Sequence, residues 1–278
     1  EAETAYREAL RINPASLHLY PRLAAVLRRR NRLDQASEIF AQWLSHDPDN
    51  PIAAHLHATC TPENVPARAA PAYVREVFDE FAATFDQHLQ ELDYQGPQLI
   101  GQALSACRLA ESAPVDILDA GCGSGLCAHL LRPLANSLVG VDLSTQMLDR
   151  ARQLELYDDL IEGDLVEVLR SRPSTFDLIV VTDTFGYFGD LEPALLAVQH
   201  ALSPKGLLIC TIELDQVHSD TAEGFRLMQS GRYCHTLIYV EASLAAAHLK
   251  ANSITTGTLR REANGRVSCV VVTAQRAG

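Results

Sequence analysis

The pattern of apolar and polar positions changes near residue 115, where short apolar runs begin to alternate with amphipathic stretches. After the run that ends at Leu118, leucines recur at helical spacing. An apolar run followed by such spacing is typical of a strand that leads into a helix. Repeated alternation of this kind predicts an α/β domain with a mostly parallel sheet. The runs that we interpret as successive strands are residues 115–118, 138–141, 176–181 and 207–210.

The C-terminal part of the chain has a hairpin pattern. We predict two strands, Ser253 to Arg260 and Val267 to Gln275, with Asn264-Gly265 between them. An Asn-Gly pair between two strand patterns favours a tight turn. The domain should therefore end in a β-hairpin whose last strand is antiparallel.

The N-terminal part is helical in pattern and contains a repeat with an offset of 34 residues. The matched positions are Ala2 and Ala36, Tyr6 and Phe40, Leu10 and Leu44, and Pro14 and Pro48. This period and pattern resemble the second helix of a tetratricopeptide (TPR) unit. Because the chain begins inside such a unit, we expect an incomplete array of about one and a half repeats. The array is either a platform for a partner or a structural cap.

The domain organisation follows from these patterns. Residues 59–71 contain three prolines and little periodicity, which predicts a linker. We expect a TPR segment over residues 1–58 and a second, larger domain over residues 72–278.

An amphipathic segment directly follows the predicted linker. Phe78, Phe81 and Phe85 share one face at helical spacing. The segment is either a lid that touches a bound ligand through residues such as Tyr73 and Phe85, or a helix packed in the core. The lid interpretation predicts that it becomes ordered when ligand binds.

The glycine-rich turn after the first strand carries the most specific chemical signal. Gly121, Gly123 and Gly125 occupy alternate positions just after Asp119. Glycines at such a turn let a nucleotide-like ligand approach the main chain. A dinucleotide fingerprint would place its third glycine at Leu126, and an acid in the loop would repel phosphate. The turn therefore favours a ligand with a cation or hydroxyl donors.

This turn resembles the first motif of the class I S-adenosyl-L-methionine (SAM) methyltransferases. Later segments of the family pattern follow in order, and the similarity covers about residues 71–276. Segments 78–86 and 231–235 are similar to a TPR-linked group of predicted methyltransferases. The resemblance implies SAM as cofactor and a Rossmann-like sheet, mostly parallel with an antiparallel last strand, preceded by a small all-α TPR segment.

The resemblance also implies the cofactor contacts. Asp142, at the end of the second strand, would accept hydrogen bonds from both ribose hydroxyls. Asp183 would face either the methionine ammonium or the nucleophile. The full predicted set is Tyr73, Phe85, Asp119, Gly121, Cys122, Gly123, Gly125, Asp142, Leu143, Met147, Gly163, Asp164, Leu165, Thr182 and Asp183.

The acceptor should meet the segments that follow the fourth and fifth strands. Tyr187 would line that pocket, and His218 and His235 are candidate general bases. Arg232 is positioned in sequence to pair with a substrate carboxylate. The candidate catalytic residues are thus His235, His218 and Tyr187, and the candidate substrate contacts are Tyr187, Arg232 and His235. For each histidine the alternative is a structural role, and for the arginine a solvated one.

Composition narrows the partners. A net charge of −12 disfavours nucleic acid, whose phosphates require a basic surface. The seven cysteines include no C-x-x-C pair, so we expect no metal site and a reducing, cytoplasmic location. No apolar run reaches about 18 residues, which predicts that no segment spans a membrane.

We therefore expect an enzyme that moves a methyl group from SAM to an O- or N-nucleophile of a small molecule or peptide. Its TPR helices would serve protein contacts, and a homo-oligomer is compatible with the sequence. The alternative is a catalytically degenerate SAM-binding scaffold. A nicotinamide oxidoreductase is disfavoured by Leu126 and by the C-terminal hairpin.

Overall fold

The structure is a computed structural model that describes residues 1–61, 65–107, 114–215, 224–262 and 265–277. Within these ranges a helical front, residues 1–58, precedes an α/β domain. His218 and Asn264, which the sequence analysis singled out, lie outside the described residues.

Successive helices of the front pack on one another around a common core. They are α1 (Ala2–Ile12), α2 (Tyr20–Arg29), α3 (Leu33–His46) and α4 (Pro51–Ala58). Asn50 begins α4 as its N-cap, because its side chain accepts a hydrogen bond from Ala53 N at 2.8 Å. The core includes Tyr6 and Leu10 of α1 as well as Phe40 and Leu44 of α3. Two of the residue pairs matched by the 34-residue offset therefore lie in one core.

The segment 65–70, part of the predicted linker, is bound to the α/β domain. Ala69 N donates to Tyr187 O at 2.9 Å, and the amides of Gly189 and Asp190 donate to Ala67 O at 2.8 and 2.7 Å. The segment thus adds a short antiparallel bridge to the domain. A proline-rich composition indicates irregular chain but says nothing about such docking. The helices α5 (Pro71–Phe81), α6 (Phe85–Glu91) and α7 (Gly96–Ala106) follow it.

A seven-stranded sheet forms the centre of the described α/β domain, in the order β3-β2-β1-β4-β5-β9-β8. Its strands are β1 (Val115–Ala120), β2 (Ala135–Asp142), β3 (Asp159–Glu162), β4 (Phe176–Val181), β5 (Leu202–Glu213), β8 (Leu249–Glu262) and β9 (Gly265–Arg276). The first five strands pair in parallel, and β9 is antiparallel to both of its neighbours. The predicted fold class is confirmed.

Helices and a small strand pair complete the domain. They are α8 (Ala128–Leu131), α9 (Thr145–Arg152), α10 (Leu165–Arg170), α11 (Glu192–Ala201), α12 (Leu237–Ala246), and the antiparallel pair β6 (Phe225–Leu227) and β7 (Tyr233–His235). Consecutive residues of β1 point to opposite faces of the sheet. Ile117 belongs to the apolar core on one face, and Leu118 belongs to the core on the other. Burial of both faces explains why the parallel strands are nearly continuous apolar runs.

The C-terminal hairpin is longer than predicted, because β8 already begins at Leu249, opposite Arg276 of β9. The ladder shifts register between Thr258 and Arg260. This bulge lets the consecutive residues Leu259 and Arg260 both be buried, at 0% and 4% exposure. Bulges often redirect a side chain toward a functional site, and Arg260 reaches the cavity described below.

Among the described residues we looked for membrane-spanning helices and for metal-binding groups. No helix among them combines the length and apolar character needed to cross a membrane. Nor do they contain a group of three or more histidine, cysteine or acidic side chains that could hold a metal ion.

Candidate active site

A cavity of about 410 Å³ opens where β1, β2 and β4 end, beneath α5 and α6. Open α/β sheets bind their ligands at this edge, and ligand sites typically measure about 300–1,000 Å³. The predicted site residues that line it are Phe85, Asp119, Gly121, Cys122, Gly123, Asp142, Leu143, Gly163, Asp164, Leu165, Thr182, Asp183, Tyr187 and Arg232.

The glycine turn forms one wall of the cavity. Gly121 has a φ of +74°, and a Cβ there would lie 2.1 Å from Thr184 Oγ1. Gly123 also has a positive φ, +54°, but a Cβ there would meet only Phe85, at 3.9 Å. Backbone conformation therefore favours glycine at both positions, while close packing excludes a side chain only at Gly121.

Asp142 ends β2 with its carboxylate fixed by the main chain. Oδ2 accepts from Gly123 N and Oδ1 from Ser144 N, both at 2.9 Å. Burial raises the pKa of Asp142, while these N–H groups oppose the rise. Ser144 in turn caps α9 by accepting from Met147 N. The carboxylate is held in one orientation and can still accept further hydrogen bonds from a ligand.

Asp119 lies deeper, at 2% exposure. Tyr157 Oη donates to its Oδ2 at 2.7 Å. Burial raises the pKa of Asp119 to about 6, with a smaller contribution from the charge of Asp142. A buried carboxylate with one neutral partner favours a cationic ligand nearby, because such a ligand supplies the missing opposite charge.

Asp164 already has protein partners for both of its carboxylate oxygens. Its Oδ1 caps α10 by accepting from Val166 N at 3.0 Å and from Glu167 N at 3.3 Å. Its Oδ2 pairs with Arg68 Nη2 at 2.5 Å, and the Arg68 guanidinium stacks over the ring of Phe188. Asp164 thus anchors the docked segment 65–70 beside the cavity.

The roof of the cavity consists of α5 and α6. Phe78 and Phe85 meet edge to face with ring centroids 5.8 Å apart, and Phe85 also contacts Phe81. On the polar side, Asp79 accepts from Ser144 Oγ at 2.6 Å, and Asp86 accepts from Ser124 Oγ at 2.6 Å. The roof therefore combines an apolar inner face with polar attachments to the glycine turn and the start of α9.

At the turn after β4 lies a buried set of ion pairs, here called the charged cluster: Asp183, Glu213, Arg232 and Arg260. Arg232 pairs with both Asp183 and Glu213, and Arg260 pairs with Glu213 at 3.0 Å and Asp183 at 3.5 Å. Burial raises the pKa of Asp183 despite the two arginines. Burial acts the same way on Glu213, but there the two arginines hold the pKa below its usual value.

Asp183 adopts a left-handed backbone conformation, with φ at +59°. Its amide donates to Thr211 Oγ1 at 2.8 Å, which holds the turn after β4 against β5. Non-glycine residues in this region are uncommon and concentrate at functional sites. The turn presents the Asp183 side chain to the cavity.

Two family models match the chain. One, described as a methyltransferase domain, matches residues 118–210, and the other, a tetratricopeptide repeat, matches residues 1–60. An 18S rRNA (guanine-N(7))-methyltransferase of Bos taurus is 36% identical over 83 residues, which are 30% of each chain. A malonyl-(acyl-carrier protein) O-methyltransferase of Erwinia billingiae (strain Eb661) is 30% identical over 152 residues, 54% of this chain and 57% of the relative. The chain therefore spans less than two thirds of these relatives.

Among solved structures, a 1,6-didemethyltoxoflavin-N1-methyltransferase of Burkholderia thailandensis has a similar fold. The TM-score is 0.58 at 17% identity, over 77% of this chain and 93% of that one. That structure contains bound 1,6-didemethyltoxoflavin and S-adenosylhomocysteine. Residues 118–210 therefore match a methyltransferase domain in sequence and fold, and residues 1–60 match a tetratricopeptide repeat.

Several predicted site residues lie outside the cavity lining. Tyr73 stacks on His55 of α4, with ring centroids 3.9 Å apart, and joins the front to the α/β domain. Met147 is fully buried on α9. Gly125 also has a positive φ, +88°, but a Cβ there would strike Leu154 at 2.6 Å. These three residues support the site through packing or turn geometry and do not line it.

His235 also lies away from the cavity. It is fully buried on β7, its Nε2 lies 3.0 Å from Gly189 O, and burial lowers its pKa to about 4. The described geometry therefore gives this histidine a structural place, and we leave it out of the proposed site. Arg232 does line the cavity, but protein carboxylates already occupy the positions that a substrate carboxylate would take.

Sequence reasoning missed several residues that line the cavity. The main ones are Arg68, His88, Tyr94, Arg260 and Glu262. The helical spacing of Phe78, Phe81 and Phe85 indicated the roof. The same spacing continued by three residues reaches His88, which also lines the cavity. No local pattern pointed to Arg68 or Arg260, because docking and a bulge bring them to the site.

Proposed function

We propose that this chain binds SAM in the cavity and transfers its methyl group to an O- or N-nucleophile of a small molecule or peptide. The observation that carries the proposal is the pair of carboxylates, Asp119 and Asp142, that line the cavity beside the glycine turn at Gly121. Positive φ and a 2.1 Å approach to Thr184 mean that only glycine fits there.

The residues present fit SAM in three respects. Asp142 offers a fixed carboxylate for two neighbouring hydroxyl groups. Asp119 offers a buried negative charge for an ammonium. The roof offers an apolar surface, formed by Phe78, Phe81 and Phe85, against which flat or aliphatic parts can pack. When bound, SAM supplies a methyl group on a cationic sulfur.

The protein's own contribution is position and exclusion of water. The turn after β4, which packs beside the glycine turn through Thr184, presents Asp183, Thr184 and Tyr187 to the cavity. An acceptor held there can be aligned with the methyl carbon, and such alignment lowers the barrier to the displacement. Closure by α5 and α6 keeps the site dry. A carboxylate with a raised pKa, Asp183, can take a proton from the acceptor.

We further propose a functional division along the chain: residues 1–58 as a TPR segment that makes protein contacts, 59–71 as its connection, and 72–278 as the methyltransferase domain. The contact of Tyr73 with His55 supports a fixed arrangement of the two parts. A native mass measurement would test whether the chain also pairs with itself.

Calorimetry with S-adenosylhomocysteine tests the cofactor proposal. Asp142→Ala should weaken binding by about 1.5–3 kcal/mol, the contribution of hydrogen bonds to a charged group. Glu241→Gln, a change on the exposed face of α12, is the matched control. Unchanged affinity in Asp142→Ala would remove Asp142 from the site. Binding with no turnover on any acceptor tried would favour the scaffold alternative.

A further inference from the structure

The arginines of the charged cluster are already occupied by protein groups. Arg232 donates from Nε to Glu213, from Nη1 to Tyr187 Oη at 3.0 Å, and from Nη2 to Asp183. Arg260 donates from Nε to Glu262 at 2.9 Å and from Nη1 to Glu213 at 3.0 Å, while its Nη2 lies 2.8 Å from Glu262. Every nitrogen of both guanidinium groups thus has an acceptor. An incoming carboxylate would have to displace a buried ion pair, which is costly.

The carboxylates around the same space keep open positions. Both arginines contact Asp183 through Oδ1, and no hydrogen bond or ion pair joins Oδ2 to another described residue. Glu262 likewise meets Arg260 through Oε1 only. Both side chains line the cavity. This end of the cavity therefore has free acceptors and occupied cationic donors.

The net charge of this end also favours a ligand that donates hydrogen bonds. Two arginines face the three carboxylates of Asp183, Glu213 and Glu262, so the net charge is negative when all three are ionised. A negative, partly buried site attracts a positive or hydrogen-donating ligand and repels an anion.

Apolar side chains surround these acceptors. Phe78 meets Tyr187 edge to face with ring centroids 5.6 Å apart, and Leu92 and Pro97 line the cavity beside them. Such a wall suits an aromatic or aliphatic body. Aromatic rings also favour a nearby cation.

From these observations, and resting on the proposed function, we infer that the acceptor is an amine carried on an apolar body and that Asp183 Oδ2 binds its N–H. A bound ammonium first gives one proton to Asp183 Oδ2, which frees the nitrogen lone pair. The nitrogen then forms the new N–C bond as the S–C bond of SAM breaks and its electron pair stays on sulfur. The products are an N-methylammonium, S-adenosylhomocysteine and protonated Asp183.

The test compares three probes that share a phenyl body: 2-phenylethylamine, 2-phenylethanol and 3-phenylpropanoate. Their binding is measured by calorimetry on the full chain saturated with S-adenosylhomocysteine. The amine should bind at least about tenfold more tightly than the carboxylate, since a charge-assisted hydrogen bond is worth that much. A tripeptide amide that begins with phenylalanine is the fourth arm. Tighter binding of the peptide than of 2-phenylethylamine would assign the amine to peptides, and the reverse would assign it to small molecules.

Two variants connect the preference to the residue. Asp183→Asn should lower amine affinity by about tenfold and leave 2-phenylethanol unchanged, because only the charged partner is lost. If Asp183→Asn impairs folding, Glu262→Gln takes its place, because that side chain is more exposed. Glu262→Gln should also lower the affinity for the amine, but by less than tenfold. Glu241→Gln should change nothing.

The outcomes are distinct from those of the proposed function. Failure of S-adenosylhomocysteine to bind the unmodified chain would refute the cofactor site itself. If it binds, the amine inference is overturned by equal affinities for all probes, by no probe binding, or by preference for the carboxylate. It is also overturned if Asp183→Asn weakens S-adenosylhomocysteine and not the amine, because Asp183 would then belong to the cofactor.

Discussion

The two ends of the cavity are built in different ways. At the proposed cofactor end, Asp142 is oriented by the backbone amides of Gly123 and Ser144. At the proposed acceptor end, Asp183 is held by the side chains of Arg232 and Arg260, which lie on distant elements. The first end is a product of local chain geometry, and the second is a product of tertiary packing.

This difference has energetic consequences. A carboxylate that accepts from backbone N–H groups keeps its orientation whatever surrounds it, since those amides belong to the strand end and the turn. A cluster of desolvated ion pairs depends on all its members, because removing one leaves an uncompensated charge. Substitutions at the cofactor end should therefore mainly change binding, and substitutions in the charged cluster should mainly change stability.

The largest expected effect is on stability, from Arg232→Ala. The change leaves Asp183 and Glu213 without their main partner in a buried position, which should cost about 3–5 kcal/mol of unfolding free energy. Urea denaturation measures it. Arg152→Ala removes an exposed pair with Asp149 on α9 and should have little effect.

The same variant tests the separation of the two ends. If Arg232→Ala stays folded at low temperature, its affinity for S-adenosylhomocysteine should remain close to that of the unmodified chain. A large loss of that affinity, with stability unchanged, would show that Arg232 serves the cofactor end.

The next effect concerns the glycine turn. Gly121→Val should abolish S-adenosylhomocysteine binding, because its Cβ would lie 2.1 Å from Thr184 Oγ1 at a φ of +74°. Gly123→Ala has space, with Phe85 at 3.9 Å, and should cost only the backbone strain, about 1–2 kcal/mol. Calorimetry gives the affinities, and circular dichroism shows whether each variant is folded. Equal losses in the two variants would mean that torsion alone, and not close packing, requires glycine.

The contrast between the two ends also explains what the sequence could predict. Asp119, the three glycines and Asp142 lie within one strand–turn–helix–strand stretch, so their proximity follows from local patterns. The cap at Ser144 and the antiparallel last strand follow from local rules in the same way. The fold class was therefore predictable. Most residues that the sequence indicated for the proposed cofactor end line the cavity.

The acceptor end that we propose could be predicted only in part: the sequence indicated Asp183, Tyr187 and Arg232, which line the cavity, but not the residues that complete it. Arg260 enters through a bulge in β8, and Arg68 enters because segment 65–70 docks beside Phe188. Burial on β7 removes His235 from the cavity, and stacking on His55 removes Tyr73. Each of these outcomes depends on contacts between residues far apart in sequence, which no single window of the chain contains.

A smaller effect should come from pH, through Asp119. Burial raises its pKa to about 6, so the folded protein binds this proton more tightly than the unfolded chain does. The contribution of Asp119 to stability should therefore fall as pH rises from about 4 to 6. A cationic ligand selects the ionised form, so SAM affinity should rise by about tenfold from pH 5 to pH 7.

The control for this pH dependence is Asp119→Asn. The groups that face the carboxylate are Tyr157, Cys122, Cys127 and Asp142. Of these, Asp142 also has a raised pKa, so the slope should shrink in Asp119→Asn without vanishing. A slope of the same size in the variant would assign the pH dependence to Asp142.

The smallest expected effect concerns the roof, which meets both ends. Asp79→Ala removes the hydrogen bonds from Ser144 Oγ at 2.6 Å and Gln146 N at 3.3 Å. Each such bond is worth about 0.5–1.5 kcal/mol. Amide hydrogen exchange over residues 73–86 should therefore become faster in the variant and slower again when S-adenosylhomocysteine binds. Glu76→Ala, at an exposed position on the same helix, is the control.

Exchange in the unmodified chain decides between the two interpretations of this segment. A roof that closes on ligand should gain protection on binding, because the inner face formed by Phe78, Phe81 and Phe85 then packs against something other than water. Equal and strong protection with and without ligand would mean a fixed helix, permanently attached through Asp79 and Asp86. The acceptor would then have to enter between the roof and the charged cluster, and substitutions at Glu262, the most exposed side chain of that border, should change the rate of acceptor binding more than its equilibrium.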